Sequence, residues 1–171
     1  MGTTKVLADD RSQQIALVDD CDPRDPGWAP TGGCLRKKGD VTTAEFGLFL
    51  TSPLAPMMGP RQLIGHPAWA IEPSYLKIKE DKKFRVKNEG GRRHTFTEVR
   101  DYGGGFVPPL NFGMAPAPEC SNPAGLNVID PGHRLDIKGL AAGTHKFICC
   151  IHPWMRADIK VKEKNRGDDD E

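Results

Sequence analysis

The sequence predicts an all-β protein, an antiparallel β-sandwich with a loop-rich N-terminal extension. Glycine and proline, the main turn formers, occur 19 and 15 times in 171 residues. Hydrophobic residues make up 37% of the chain, which is typical of a globular protein. Short segments in the second half alternate between hydrophobic and polar residues, as half-buried strands do. The length suits one domain, or one domain with an extension.

The first half of the chain contains few clear elements. Residues 15–18 form a short hydrophobic run that we interpret as a strand, and residues 41–50 are compatible with either a helix or a strand. Residues 52–75 are rich in proline and glycine and indicate an ordered connecting loop.

The second half has a clearer pattern, in which alternation predicts strands that are separated by turns and by one long Gly/Pro loop at 101–126. The predicted strands are 75–79, 82–87, 95–99, 134–137, 144–149 and 157–162. We therefore expect an extension over 1–74, packed on the core or contributing strands to it, a core over 75–163, and a disordered acidic tail over 164–171.

Net charge and hydropathy bear on two kinds of partner, nucleic acid and the membrane. The formal net charge is +1, which gives no indication of nucleic-acid binding, and no apolar stretch is long enough to span a membrane. The first ten residues contain no hydrophobic signal region, as expected of a secreted protein whose signal peptide has been removed or of a cytosolic protein.

The five cysteines favour a periplasmic or extracellular location, because an odd number suggests two disulfides and one thiol with another use. A bridge between Cys21 and Cys34 would close a turn-rich loop and contribute about 3 kcal/mol. Adjacent residues of a strand face opposite sides, so Cys149 points to the core and Cys150 points outward, where it could pair with Cys120. Four cysteines allow three pairings, and the sequence alone does not choose among them.

Residues 147–155 contain a group of candidate metal ligands. They contain Cys149-x2-His152-x2-Met155 at the end of a predicted strand, and thiolate, imidazole and thioether are the donors of a blue-copper site. A second imidazole has to come from elsewhere in the chain. His94 is the candidate, because it ends a Gly-rich loop between two predicted strands.

These segments resemble the cupredoxins, the family of small blue copper proteins. The loop NEGGRRHT ends in His94, the strand GTHKFIC ends in Cys149, and the Cys-x2-His-x2-Met spacing is similar to the short ligand loop of amicyanin. The resemblance covers about residues 75–163.

This resemblance implies a Greek-key sandwich with one copper ion per chain, a type 1 centre held by four residues. The implied ligands are His94, Cys149, His152 and Met155. It also implies a monomeric single-electron carrier between redox partner proteins, with the edge of His152 near the surface. Thr95 is expected to form a hydrogen bond across to the ligand loop.

Other functions stay open on the sequence. The chain could store or deliver copper, act as a mononuclear copper redox enzyme with a distorted site, or be a sandwich without metal. The remaining histidines, His66, His133 and His145, are expected in a loop or at the surface. Met57, Met58 and Met114 suit loop packing or a path for a soft metal. Arg92, Arg93 and Arg156 lie beside the implied ligands, as a basic rim or as ordinary solvated charges.

Overall fold

Two four-stranded sheets dominate the computed structural model, which describes residues 13–36, 38–52, 58–59, 62–63 and 65–164. The expected acidic tail lies almost wholly outside these residues, as does Met57. The strands are β1 (Gln14–Val18), β2 (Met58–Gly59), β3 (Gln62–Leu63), β4 (Ala70–Glu72), β5 (Tyr75–Lys79), β6 (Phe84–Asn88), β7 (His94–Thr95), β8 (Thr97–Val99), β9 (Val128–Ile129), β10 (Arg134–Ile137), β11 (Gly143–Ile148) and β12 (Arg156–Lys162). The predicted all-β class is confirmed, and the predicted strand at 95–99 is divided between β7 and β8.

The strand order is β10-β6-β1-β4 in one sheet and β5-β12-β11-β8 in the other. Neighbouring strands are mostly far apart in sequence, so the chain crosses repeatedly between the sheets. Most strand pairs are antiparallel, as expected, but β1 runs parallel to β6 and β5 runs parallel to β12. Alternation within a strand shows which face is buried but not the direction of its neighbour, so it could not reveal these two pairings.

The first 74 residues supply β1 and β4, and β1 lies between β6 and β4 inside its sheet. Ile15 and Leu17 of β1 are fully buried. The division of the chain at residue 74 stays a prediction.

The core between the sheets is centred on three phenylalanines that are almost fully buried. Phe96 and Phe147 stack with ring centroids 4.3 Å apart, and the ring of Phe84 meets both edge-on. Such pairs add to the free energy gained from burying their area. Phe147 belongs to β11, so this packing fixes the strand that leads to Cys149.

The ambiguous segment at 41–50 contains the one α-helix of the described residues, α1 (Thr43–Thr51). Thr42 caps it: the Glu45 backbone N–H donates to the Thr42 hydroxyl, and the Glu45 carboxylate accepts from the Thr42 backbone N–H. This is a capping box, which satisfies backbone groups that a helix start otherwise leaves unpaired. Phe46 faces inward against Trp28 and Trp69.

Both expected disulfides are confirmed, one between Cys21 and Cys34 and one between Cys120 and Cys150. Cys149 is the free cysteine, and it is buried. The second disulfide lies in a small hydrophobic cluster beneath the 101–126 loop, on the opposite side of the sheet from the main core. Within the described residues, no helix has the length and apolar character needed to cross a membrane.

Candidate metal centre

One tight turn between β11 and β12 carries three of the four expected ligands. Cys149 directly follows β11, and its backbone N–H donates to the Met155 carbonyl at 3.0 Å. The Met155 backbone N–H donates to the His152 carbonyl at 2.9 Å. These two hydrogen bonds hold the three residues together, and the fourth expected ligand, His94, is the first residue of β7.

The structure brings His94, Cys149 and His152 together. The Cys149 Sγ atom lies 3.8 Å from Nδ1 of His94 and 3.7 Å from Nδ1 of His152. The three donor atoms lie within 4.8 Å of one another, and all three side chains are buried. Donors bound to one ion at about 2.0–2.3 Å are separated by roughly 3–4 Å, so this set fits a single transition-metal ion.

Met155 lies in the same turn and is 1% exposed. It belongs to the same buried cluster as Cys149 and Trp154. Its position suits the fourth ligand, and binding through its thioether stays a prediction.

Thr95 links the strand of His94 to the ligand turn, as the family resemblance implied. Its backbone N–H donates to Cys149 Sγ at 3.3 Å, and its hydroxyl accepts from the Cys150 backbone N–H at 2.7 Å. The first contact favours the thiolate form of Cys149, and the second fixes the residue that follows it.

Replacing Thr95 with valine is expected to destabilise the protein by about 1–3 kcal/mol, because the buried Cys150 N–H loses its acceptor. Urea unfolding of the metal-free protein measures this loss. Thr144→Val is the matched control, since Thr144 is an exposed strand residue. Equal stabilities for the two variants would contradict the role assigned to the Thr95 hydroxyl.

Asp19 is a functional residue that the sequence analysis missed. It directly follows β1 and is fully buried, and its carboxylate lies 2.7 Å from Nε2 of His94. The backbone N–H groups of Gly91 and Arg92 also donate to it, at 2.9 and 3.0 Å. The signal that could have found it is an acidic residue at the end of a hydrophobic strand.

Asp19 and His94 shift each other's pKa. Burial acts to raise the pKa of Asp19, but the hydrogen bonds from His94, Gly91 and Arg92 outweigh it and lower that pKa. Burial opposes a charge on His94, yet its contacts with Asp19 and Cys149 raise its pKa to about 9.

The two residues of the ligand turn titrate differently from His94. Burial disfavours the Cys149 thiolate, but the adjacent His152 and His94 lower the Cys149 pKa well below its ordinary value. Burial lowers the pKa of His152. A metal ion at Nδ1 of His94 would take the place of a proton, and the thiolate that such an ion needs is already favoured.

His152, whose edge is expected near the surface, is mostly covered. Only 6% of the residue is exposed. The Trp154 and Trp69 rings pack against it, with centroids 5.6 and 6.2 Å away. Trp69 and the adjoining α1 belong to the first 74 residues, for which the resemblance made no prediction.

The three histidines outside the site lie in a loop or near the surface. His66 packs between Phe46 and Trp69, and its Nδ1 accepts from the Ala68 backbone N–H. His133 is exposed, and Nδ1 of His145 contacts Glu98.

The three arginines do not form a free basic rim. Arg92 donates to Thr31 and to the Gly33 carbonyl and stacks on Trp28, so it fastens the loop closed by the first disulfide. Arg156 donates to the Pro153 carbonyl and stacks on Tyr102. Arg93 is exposed and pairs with Asp130.

Comparison with known proteins gives structural likenesses only. No protein-family model and no curated protein matches the sequence. A purple cupredoxin from Nitrosopumilus maritimus is 13% identical, with a TM-score of 0.43 over 87% of this chain and 98% of its own.

Two further solved structures show a partial likeness to this chain. Amicyanin from Paracoccus versutus is 16% identical, with a TM-score of 0.37 over 54% of this chain and 73% of its own. A copper-containing nitrite reductase from Thermus scotoductus is 22% identical, with a TM-score of 0.37 over 56% of this chain, and the match spans 21% of that enzyme. With TM-scores below 0.5 these likenesses carry no argument, so any function has to be argued from the residues of this chain.

Proposed function

We propose that this protein carries single electrons through one copper ion held by His94, Cys149, His152 and Met155. The observation that supports the proposal is the buried group of one thiolate and two imidazole nitrogens, with Cys149 Sγ 3.7 and 3.8 Å from the two Nδ1 atoms. Two histidines, one cysteine and a weak axial methionine form the type 1 copper set.

The donor set favours copper over zinc. Structural zinc sites use four donors drawn from cysteine and histidine, and thioether sulfur is a ligand that suits Cu(I). Met155 is buried in the same turn as Cys149 and His152, where a structural zinc site would need another thiolate or imidazole.

The surroundings favour electron transfer over conversion of a substrate. Copper supplies a one-electron change when it is bound, and transfer is fast when the ligands need not move. In this chain the hydrogen bonds within the ligand turn, the Thr95 contacts and the Asp19 contact each hold a ligand in place. The Trp69 and Trp154 rings pack against His152 and leave it 6% exposed.

The proposal extends to location and partners. Two disulfides suit the periplasm or the extracellular space, and the partners are redox proteins that a monomer meets transiently. Residues 75–163 are the cupredoxin core. Residues 1–74 are an extension that completes one sheet through β1 and β4 and covers the metal end through α1.

Titration with Cu(II), followed by visible absorption, tests this function. We expect an intense thiolate-to-copper band that saturates at one equivalent, and its loss in Cys149→Ser. His145→Gln is the control, because it removes an imidazole outside the site and is expected to keep the band. Binding of copper without the band, or a band that survives in Cys149→Ser, would contradict the proposal. Tight binding of Cu(I) with slow electron exchange would instead indicate copper storage or delivery.

A further inference from the structure

The Asp19 carboxylate is the one acidic side chain of the described residues that contacts an expected ligand at the metal centre. Its exposed fraction and that of His94 are both 0%. An isolated charge at such a depth is strongly unfavourable unless hydrogen bonds compensate for lost water. Three donors do so in this site: the His94 ring and the backbone N–H groups of Gly91 and Arg92.

The loop that precedes His94 is shaped around this carboxylate. A Cβ atom at Gly90 would overlap the Asp19 carboxylate, and one at Gly91 would lie 2.6 Å from Cys34 Sγ. The two glycines therefore allow the loop to wrap closely around the end of β1. The Leu35 backbone N–H donates to the Gly91 carbonyl, so the loop is also held from its outer side.

The contact at Nε2 leaves Nδ1 of His94 directed to Cys149. Nδ1 lies 3.8 Å from Cys149 Sγ while Nε2 lies 2.7 Å from Asp19. A carboxylate partner fixes the tautomer and the ring orientation of a ligating histidine and increases its basicity. Asp19 thus has the geometry of a positioning residue, with its negative charge next to the centre.

We propose that Asp19 sets the reduction potential of the centre by favouring the oxidised ion, an inference that rests on the copper function proposed above. With the Cys149 thiolate and the Asp19 carboxylate, a Cu(II) site is neutral overall and a Cu(I) site carries one negative charge. In a buried site the neutral combination is favoured. An uncharged residue at position 19 reverses the preference, because the oxidised site then carries a positive charge and the reduced site is neutral.

The test compares Asp19→Asn with Asp20→Asn. Both changes remove one negative charge, but Asp20 is about half exposed and pairs with Arg36 at the surface. For Asp19→Asn we expect the ratio of Cu(II) to Cu(I) affinity to fall at least tenfold, which equals a rise in potential of about 59 mV for a one-electron couple. For Asp20→Asn we expect a change of less than twofold.

The ratio of Cu(II) to Cu(I) affinity shows whether Asp19 sets the reduction potential or only supports the structure of the site. Loss of support weakens both oxidation states by the same factor and leaves the ratio unchanged, and that result would overturn the inference. If the wild type lacks the thiolate-to-copper band, the copper function itself fails and the inference fails with it. A normal wild-type band with an unchanged ratio in Asp19→Asn overturns the inference alone.

A second measurement decides the matter if Asp19→Asn does not fold. Nitrogen-15 NMR of the Cu(I)-loaded wild type is expected to show a His94 Nε2 proton that exchanges slowly and is shifted downfield by the carboxylate. Rapid exchange of that proton with water would overturn the role assigned to Asp19.

Discussion

Replacing Phe147 with alanine is expected to destabilise the metal-free protein by about 3–5 kcal/mol. The Phe147 ring is 2% exposed and stacks on Phe96 at 4.3 Å, so its loss leaves a cavity in the middle of the core. Cys149 directly follows the same strand, so we also expect weaker copper binding. Urea unfolding measures the first effect as a lower midpoint with an unchanged slope.

Phe106→Ala is the matched control for this prediction. Phe106 is 45% exposed, and the hydrogen bond that it donates to the Cys150 carbonyl comes from its backbone. Its replacement is expected to change the stability by about 0.5 kcal/mol or less. A similar loss for both variants would mean that the core is not centred on Phe147.

Removal of the Cys120–Cys150 disulfide, by replacing both cysteines with alanine, is expected to cost about 3–4 kcal/mol, because the bridge closes a loop with a sequence separation of 30 residues. Cys150 also follows Cys149 directly, and its backbone N–H binds the Thr95 hydroxyl. We therefore expect a weakened and broadened charge-transfer band in addition to the lower stability.

The other disulfide provides the comparison. The Cys21–Cys34 bridge spans 13 residues, and replacing both cysteines with alanine is expected to cost about 3 kcal/mol. Unfolding in urea without reductant measures both double variants. A loss below 1 kcal/mol for Cys120→Ala/Cys150→Ala would contradict a stabilising role for the Cys120–Cys150 bridge.

The parts of the centre that are local in sequence were predictable. Cys149, His152 and Met155 lie within seven residues, and alternation along the predicted strand 144–149 separates the inward Cys149 from the outward Cys150. His94 was predicted because a Gly-rich loop between two strands is a short-range signal. In each case the spacing of neighbouring residues carries the information.

The parts that depend on distant pairing were not predictable. Asp19 reaches His94 across 75 residues, and it does so because β1 runs parallel to β6, which no local pattern encodes. Part of the cover over His152 comes from Trp69, which lies in a region without alternation. The helix itself had a usable signal, since Thr42-x-x-Glu45 is a capping box.

The adjacency of Cys149 and Cys150 has a consequence for oxidative folding. In a newly made chain both thiols can attack the same oxidant or pair with Cys120, and a Cys120–Cys149 bridge would leave the centre without its thiolate. Only strand formation distinguishes them, since β11 directs one thiol into the main core and the other into the cluster beneath the 101–126 loop. We therefore expect the yield of protein with a free Cys149 to be higher when the sheets form before the thiols are oxidised.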